Sequence, residues 1–161
     1  MMFDKAETAC KALNVRPVFA SQVDGDTVLS NEKSNELLKL IETLKPDMVF
    51  THWPVDSHRD HQVAGLLALS AWINMKKSYD LYFYEVNTGS ETMGFNATDY
   101  IDITDHREKK KLAMNAHKTQ DPVRTYDSFF RQMEEFRGLE AGVKAAEAFI
   151  HFKRNATRAS L

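Results

Sequence analysis

Lys45-Pro46-Asp47-Met48-Val49-Phe50-Thr51-His52-Trp53-Pro54-Val55-Asp56-Ser57-His58-Arg59-Asp60-His61 is the stretch on which the fold of this chain turns. Lys45-Pro46-Asp47 stops a preceding helix, because proline removes a donor and restrains the residue before it. Met48 to Thr51 is a short apolar run with β character, which predicts a buried strand. His52 to His61 is a polar loop that holds three of the six histidines. It runs straight into a predicted helix, Gln62 to Met75, with Val63, Leu66, Leu67, Ser70 and Ala71 available to pack. Strand, polar loop and helix in that order form the unit of an α/β sheet, where ligands sit beyond the carboxyl ends of strands.

Outward from this unit the alternation continues. Upstream, Ala6, Ala9, Cys10 and Leu13 fall at helical spacing, with Asn14 ending the helix. Val15 to Ala20, which carries Pro17, is predicted as an edge strand. A turn through Asp24-Gly25-Asp26 follows, and then Ser30 or Asn31 caps a helix whose Leu37, Leu38, Ile41 and Leu44 share a face. Downstream, Leu81 to Val86, Tyr100 to Ile103 and Glu147 to Phe152 are predicted strands. Arg107 to His117 and Tyr126 to Gly138 are predicted helices. The pattern predicts one α/β domain over residues 1–152 and a basic tail over 153–161.

Composition bounds the rest. In 161 residues, 43% are hydrophobic and 27% charged, enough for an ordinary core and against disorder. Lys and Arg number 21 against 23 Asp and Glu, so the net charge of -2 offers no footprint for nucleic acid. The one cysteine, Cys10, excludes an intrachain disulfide and is read as a small structural hydrophobe rather than a reactive thiol. The longest apolar stretch is interrupted by Gly65 and Ser70 and is too short to span a bilayer. A cytoplasmic protein is expected.

His58 and His61, three apart with Asp60 between them, carry the chemistry. Imidazole is a common zinc ligand, and a carboxylate beside it fixes its tautomer. The same residues also suit a helix start, with Asp60 favoured at the positive end of the helix dipole. Spacing leaves both readings open. His52, directly after a strand, reads as a packed or hydrogen-bonded histidine, and His117 as a helix-end residue. Lys109-Lys110-Lys111 reads as a solvated helix face.

The run from Lys45 to His52, followed by Pro54, Asp56, His58, Asp60 and His61, resembles the second signature of the LmbE-like family of zinc-dependent N-deacetylases, which includes PIG-L. Leu81 to Val86, Tyr100 to Thr104, Ala116-His117-Lys118-Thr119-Gln120 and Phe136-Arg137-Gly138 are similar to further stretches of that family. The resemblance implies a Rossmann-like sheet with flanking helices and a Zn2+ cofactor. It implies His61 as metal ligand, His58 as the catalytic histidine that stabilises the oxyanion or protonates the leaving amine, and Asp60 as its orienting carboxylate. Asp56 and His117 are expected on the substrate side, and the substrate is expected to be an N-acetylated sugar or sugar conjugate of the N-acetylglucosamine type.

The family's first signature, Ala-His-Pro-Asp-Asp-Glu, is not present in these 161 residues. It would supply two more zinc ligands and the general base. The chain therefore resembles the carboxyl-terminal portion of such an enzyme, with its sheet incomplete at the amino terminus. Weak or absent zinc binding, no catalysis by this chain alone, and self-association through an uncovered strand edge are expected. A non-catalytic α/β binding module is the alternative, and a different metal hydrolase using His52, His58 and His61 a third.

Overall fold

A computed structural model describes residues 2–86 and 90–155. By its internal contacts the chain falls into two compact units. One comprises residues 20–86 and 90–99 with the last strand from 148 onward; the other comprises the chain up to residue 19 and residues 100–147. The elements are α1 (Met2–Leu13), α2 (Asn31–Leu44), β1 (Met48–His52), α3 (Arg59–Asn74), β2 (Asp80–Tyr84), β3 (Asp99–Asp102), α4 (Arg107–Met114), α5 (Pro122–Thr125), α6 (Arg131–Ala141) and β4 (Ala146–Phe152). The sheet order is β1-β2-β4-β3. β1 runs parallel to β2, in register from Met48 opposite Asp80 to His52 opposite Tyr84. β4 is antiparallel to β2, with Leu81 opposite Phe152. The expected α/β sheet with flanking helices is therefore formed, with β1 at its edge.

In the first unit, local chemistry sets where each element starts. Ser30 has extended backbone and its Oγ accepts from Lys33 N at 3.2 Å, so it is the cap of α2. Lys45 closes the helix in the left-handed conformation, its N–H bonded to the Ile41 carbonyl. Pro46 then forbids continuation, and β1 begins two residues later. Ile41 from α2, Ala68, Ala71 and Trp72 from α3, and Leu81 and Phe83 from β2 form one buried cluster. Leu81 and Phe83 are essentially inaccessible, each stabilising the fold by roughly 1.5–3 kcal/mol. Trp72 adds a buried hydrogen bond from Nε1 to the Tyr79 carbonyl at 2.8 Å.

Gly65 is the point of closest approach between this core and the histidine loop. A Cβ there would sit 2.5 Å from the His52 carbonyl oxygen and 3.2 Å from Pro54 Cβ. Only glycine lets α3 pass this close to the end of β1.

The second unit contains α1, α4, α5, a π turn at Tyr126–Phe130 and α6, which Gly142 ends at φ 73°. Its centre is polar. Glu134, fully buried, accepts from the Tyr126 hydroxyl at 2.7 Å and from Arg107 Nε at 3.2 Å. Lys110 Nζ lies 2.8 Å from the other Glu134 oxygen, off the hydrogen-bond direction, and 2.6 Å from Glu147. Burial pulls the Lys110 ammonium down, and Glu147 and Glu134 more than offset it, so its pKa is raised.

Two expectations need correction here. Val15 to Ala20 forms no strand: Pro17 lacks an N–H, and no ladder partner exists among the described residues. Lys110 is not part of a solvated face but a member of the buried ion-pair network. The expected end of the basic tail, residues 156–161, lies outside the described residues.

Candidate active site

β1 delivers His52 at its carboxyl end, and the chain then turns through Trp53 to Ser57 before α3 begins. Residues 90–93 clasp this turn from outside. Ser57 N donates to the Glu91 carbonyl at 2.9 Å and Met93 N to the Val55 carbonyl at 2.9 Å, with Asp56 opposite Thr92 in an antiparallel bridge. Trp53 Nε1 donates to the Met93 carbonyl at 3.1 Å.

Asp56 is the hub. Its carboxylate is 1% exposed. Oδ1 accepts from His58 N at 2.8 Å and faces His61 Nδ1 at 3.1 Å, while Oδ2 accepts from the Thr92 hydroxyl at 3.0 Å. Burial works against its charge, but the bonds from His58, Thr92 and His61 prevail and hold its pKa below the usual carboxylate value.

The two motif histidines meet opposite partners. His58 caps α3, and its Nδ1 accepts from Asp60 N at 3.2 Å. A neutral His58 ring must then carry its proton on Nε2. His61 Nδ1 faces the Asp56 carboxylate, which only accepts, so a neutral His61 ring carries its proton on Nδ1 and its lone pair on Nε2. One ring presents a donor and the other an acceptor. The His61 ring stacks between His52, 4.2 Å away, and His58, 4.5 Å away. Burial first, then the neighbouring His61, pushes the His52 pKa down to about 4. The Tyr84 hydroxyl lies 3.1 Å from His52 Nδ1, and burial raises the Tyr84 pKa to about 12.

His52, Asp56, His58 and His61 thus lie together at the carboxyl end of β1. Asp60 also ties the loop to an upstream turn, its carboxylate accepting from Gly25 N at 2.7 Å, Thr27 N at 3.2 Å and the Thr27 hydroxyl at 2.5 Å. Those bonds, Thr27's hydroxyl foremost, lower its pKa to about 2. His117 belongs to the other unit, where it opens a short 3-10 turn, Lys118–Gln120. Sequence reasoning missed Glu91 and Thr92. Nothing local marks them, since they reach the loop from more than thirty residues away.

Asp56, His61 and Glu91 each offer a metal-ligand atom, all within 4.8 Å of one another. The donor set suits zinc at His61 and Glu91: imidazole nitrogen and carboxylate oxygen are both zinc ligands. Asp56 is already engaged by three donors, which suits it to hold His61 as the outer partner of a metal-bound histidine.

The family model described as PIG-L: GlcNAc-PI de-N-acetylase matches residues 3–72, a span that includes the whole histidine loop. Among solved structures, the chain is similar to N,N'-diacetylchitobiose deacetylase from Pyrococcus horikoshii, with a TM-score of 0.77 and 22% identity, over 97% of this chain and 66% of that one. It is similar to GalB, the 4-carboxy-2-hydroxymuconate hydratase from Pseudomonas putida, with a TM-score of 0.78 and 18% identity, over 99% of this chain and 74% of that one. A conserved protein of Thermus thermophilus gives a TM-score of 0.75 at 20% identity, over 98% of this chain and 75% of that one. At such identities the structures speak for the fold, which serves a deacetylase and a hydratase alike. Residues 3–72 thus match the PIG-L family model, and over its described length the chain has the α/β fold of these solved structures.

Proposed function

We propose that this chain carries the histidine half of a zinc-dependent N-deacetylase site, for an N-acetylated sugar conjugate of the N-acetylglucosamine type. The observation that carries the reading is that His58 Nδ1 meets a backbone N–H whereas His61 Nδ1 meets the Asp56 carboxylate, so the two neutral rings present opposite faces, donor and acceptor. His61 Nε2 would hold the zinc, with Glu91 as a second donor and Asp56 fixing the His61 ring. Bound zinc supplies a water of lowered pKa and polarises the amide carbonyl. His58 Nε2–H would donate a hydrogen bond to the oxygen that gains charge as the amide is attacked, while the leaving amine takes the proton that the attacking water gave to the general base. Loss of one such donor costs roughly 3 kcal/mol, or about a hundredfold in rate. Asp56 acts on the substrate side through His61, which it orients.

The family's general base and two of its zinc ligands lie in the Ala-His-Pro-Asp-Asp-Glu signature, which these 161 residues do not contain. Zinc binding by the chain alone is therefore weak, and acetate release by it undetectable. The test is acetate release from an N-acetylglucosamine conjugate, with zinc, by this chain alone and joined to a segment bearing that signature. Turnover by the lone chain overturns the missing-base argument. No turnover by the joined protein overturns the deacetylase reading and favours the non-catalytic module.

Self-association belongs to the same proposal. β1 is the terminal strand of the sheet, and Met48 and Phe50 are 54% and 47% exposed. An apolar edge with free backbone groups invites a second copy. Light scattering after size-exclusion chromatography should show dimers or larger species; a monomer at all concentrations refutes this. No helix among the described residues is long and apolar enough to cross a membrane.

A further inference from the structure

We propose that Thr92 is a positioning residue for the metal-binding histidine: its hydroxyl sets the tautomer of His61 through Asp56. This rests on reading His61 as a zinc ligand, but its physical content is a proton location in the metal-free protein.

The Thr92 Oγ1 accepts from Val86 N at 2.8 Å. A hydroxyl that already receives an N–H has its one proton to give elsewhere. Asp56 Oδ2 lies 3.0 Å away and takes it. The direction of the chain is thereby fixed from the backbone outward: Val86 N–H to Thr92, Thr92 O–H to Asp56 Oδ2, and His61 Nδ1–H to Asp56 Oδ1. The last link leaves the His61 lone pair on Nε2. Each member has a neighbour that permits only one proton arrangement.

Among the described residues Thr92 is the hydrogen-bond donor to Oδ2, and without it the carboxylate pivots about the His58 N–H bond at Oδ1. It is 1% exposed, so water does not replace a lost donor at Oδ2. A buried carboxylate oxygen with no partner turns to find one, and that rotation draws Oδ1 away from His61. Thr92 is itself held by backbone, through the Ser57–Glu91 and Met93–Val55 hydrogen bonds on either side. The clasp therefore places the hydroxyl rigidly, and the same clasp brings the Glu91 carboxylate to the site.

The experiment compares the chain with Thr92→Val, which keeps shape and loses the hydroxyl, and Thr92→Ser, which restores it. Nitrogen NMR of the metal-free proteins, at a pH where the histidines are neutral, reads which ring nitrogen of His61 is protonated. The expected result is an Nδ1–H ring in the parent and in Thr92→Ser, and a mixture of both tautomers in Thr92→Val. Zinc affinity should fall about 10- to 100-fold in Thr92→Val and recover in Thr92→Ser. An unchanged His61 tautomer in a folded Thr92→Val overturns the proposal, whatever the zinc affinity does. If the tautomer shifts while the parent and both variants bind zinc with equal affinity, the Thr92 assignment holds and the reading of His61 as a ligand falls. Should Thr92→Val not fold, the Thr92 hydroxyl proton of the unaltered protein decides the matter. Slow exchange with a coupling to Asp56 supports the relay, and exchange at the rate of a free hydroxyl overturns it.

Discussion

Gly65→Ala is the substitution in which two opposing magnitudes can be set against each other. In a helix interior, replacing glycine by alanine ordinarily stabilises by about 0.8–1.0 kcal/mol. At position 65 the added Cβ meets the His52 carbonyl oxygen at 2.5 Å, 0.9 Å inside the 3.4 Å at which ordinary contact begins. The neighbour is backbone at the end of β1, held by the ladder to Tyr84 and by the Trp53 N–H bond to the Tyr84 carbonyl at 3.0 Å. It cannot swing aside as a side chain would. Overpacking of this kind costs about 1–3 kcal/mol, and the rigid neighbour places this case in the upper half of that range. The net expectation is a loss of about 1–2 kcal/mol, which lowers the melting temperature by roughly 2–8 °C for a chain of this length. Because the displaced atoms belong to His52, the His52–His61 stack at 4.2 Å should open, shifting the ring protons of both residues. Calorimetry and NMR of the variant read the two effects separately. A melting temperature equal to or above the parent's would show that helix propensity wins, and that α3 does not depend on glycine to approach the loop.

Glu134→Ala should destabilise by about 1–3 kcal/mol in denaturant titration, because it takes a fully buried acceptor from the Tyr126 hydroxyl and one of two carboxylates from each of Arg107 and Lys110, which keep Glu135 and Glu147; no measurable change would show that the network is dispensable. His52 has its pKa lowered to about 4 against 6.5 for a free side chain, so the unfolded chain binds the proton more readily between those values. Stability of the metal-free protein should therefore fall as pH drops from about 6.5 to 4, with a shallower slope in His52→Gln; equal slopes would refute the burial argument. In a complete enzyme, His61→Ala should lose metal and activity together, whereas His58→Ala should keep metal and lose mainly kcat. Retained zinc in the first variant, or normal turnover in the second, would mean the two roles are misassigned.

The local parts of this protein were legible from its residues. Ser30 caps and Lys45-Pro46 stops the helix, each because a neighbour within a few positions dictates it. The motif histidines were legible for the same reason: three residues apart at the start of a helix, His58 and His61 have little choice but to stack. Tertiary structure alone decided what their protons do. Asp56 receives Thr92 from thirty-six positions away, and Asp60 reaches back thirty-five to Gly25. Lys110 leaves the solvent for Glu134 and Glu147 on distant segments. Val15 to Ala20 shows the converse, a stretch of strand-like composition that forms no strand because no partner among the described residues pairs with it. Helical periodicity and capping are satisfied within one turn of chain, so sequence reports them directly. A ladder, a buried ion pair or a hydroxyl aimed at a carboxylate needs a second segment at the right distance, and only the folded chain supplies that.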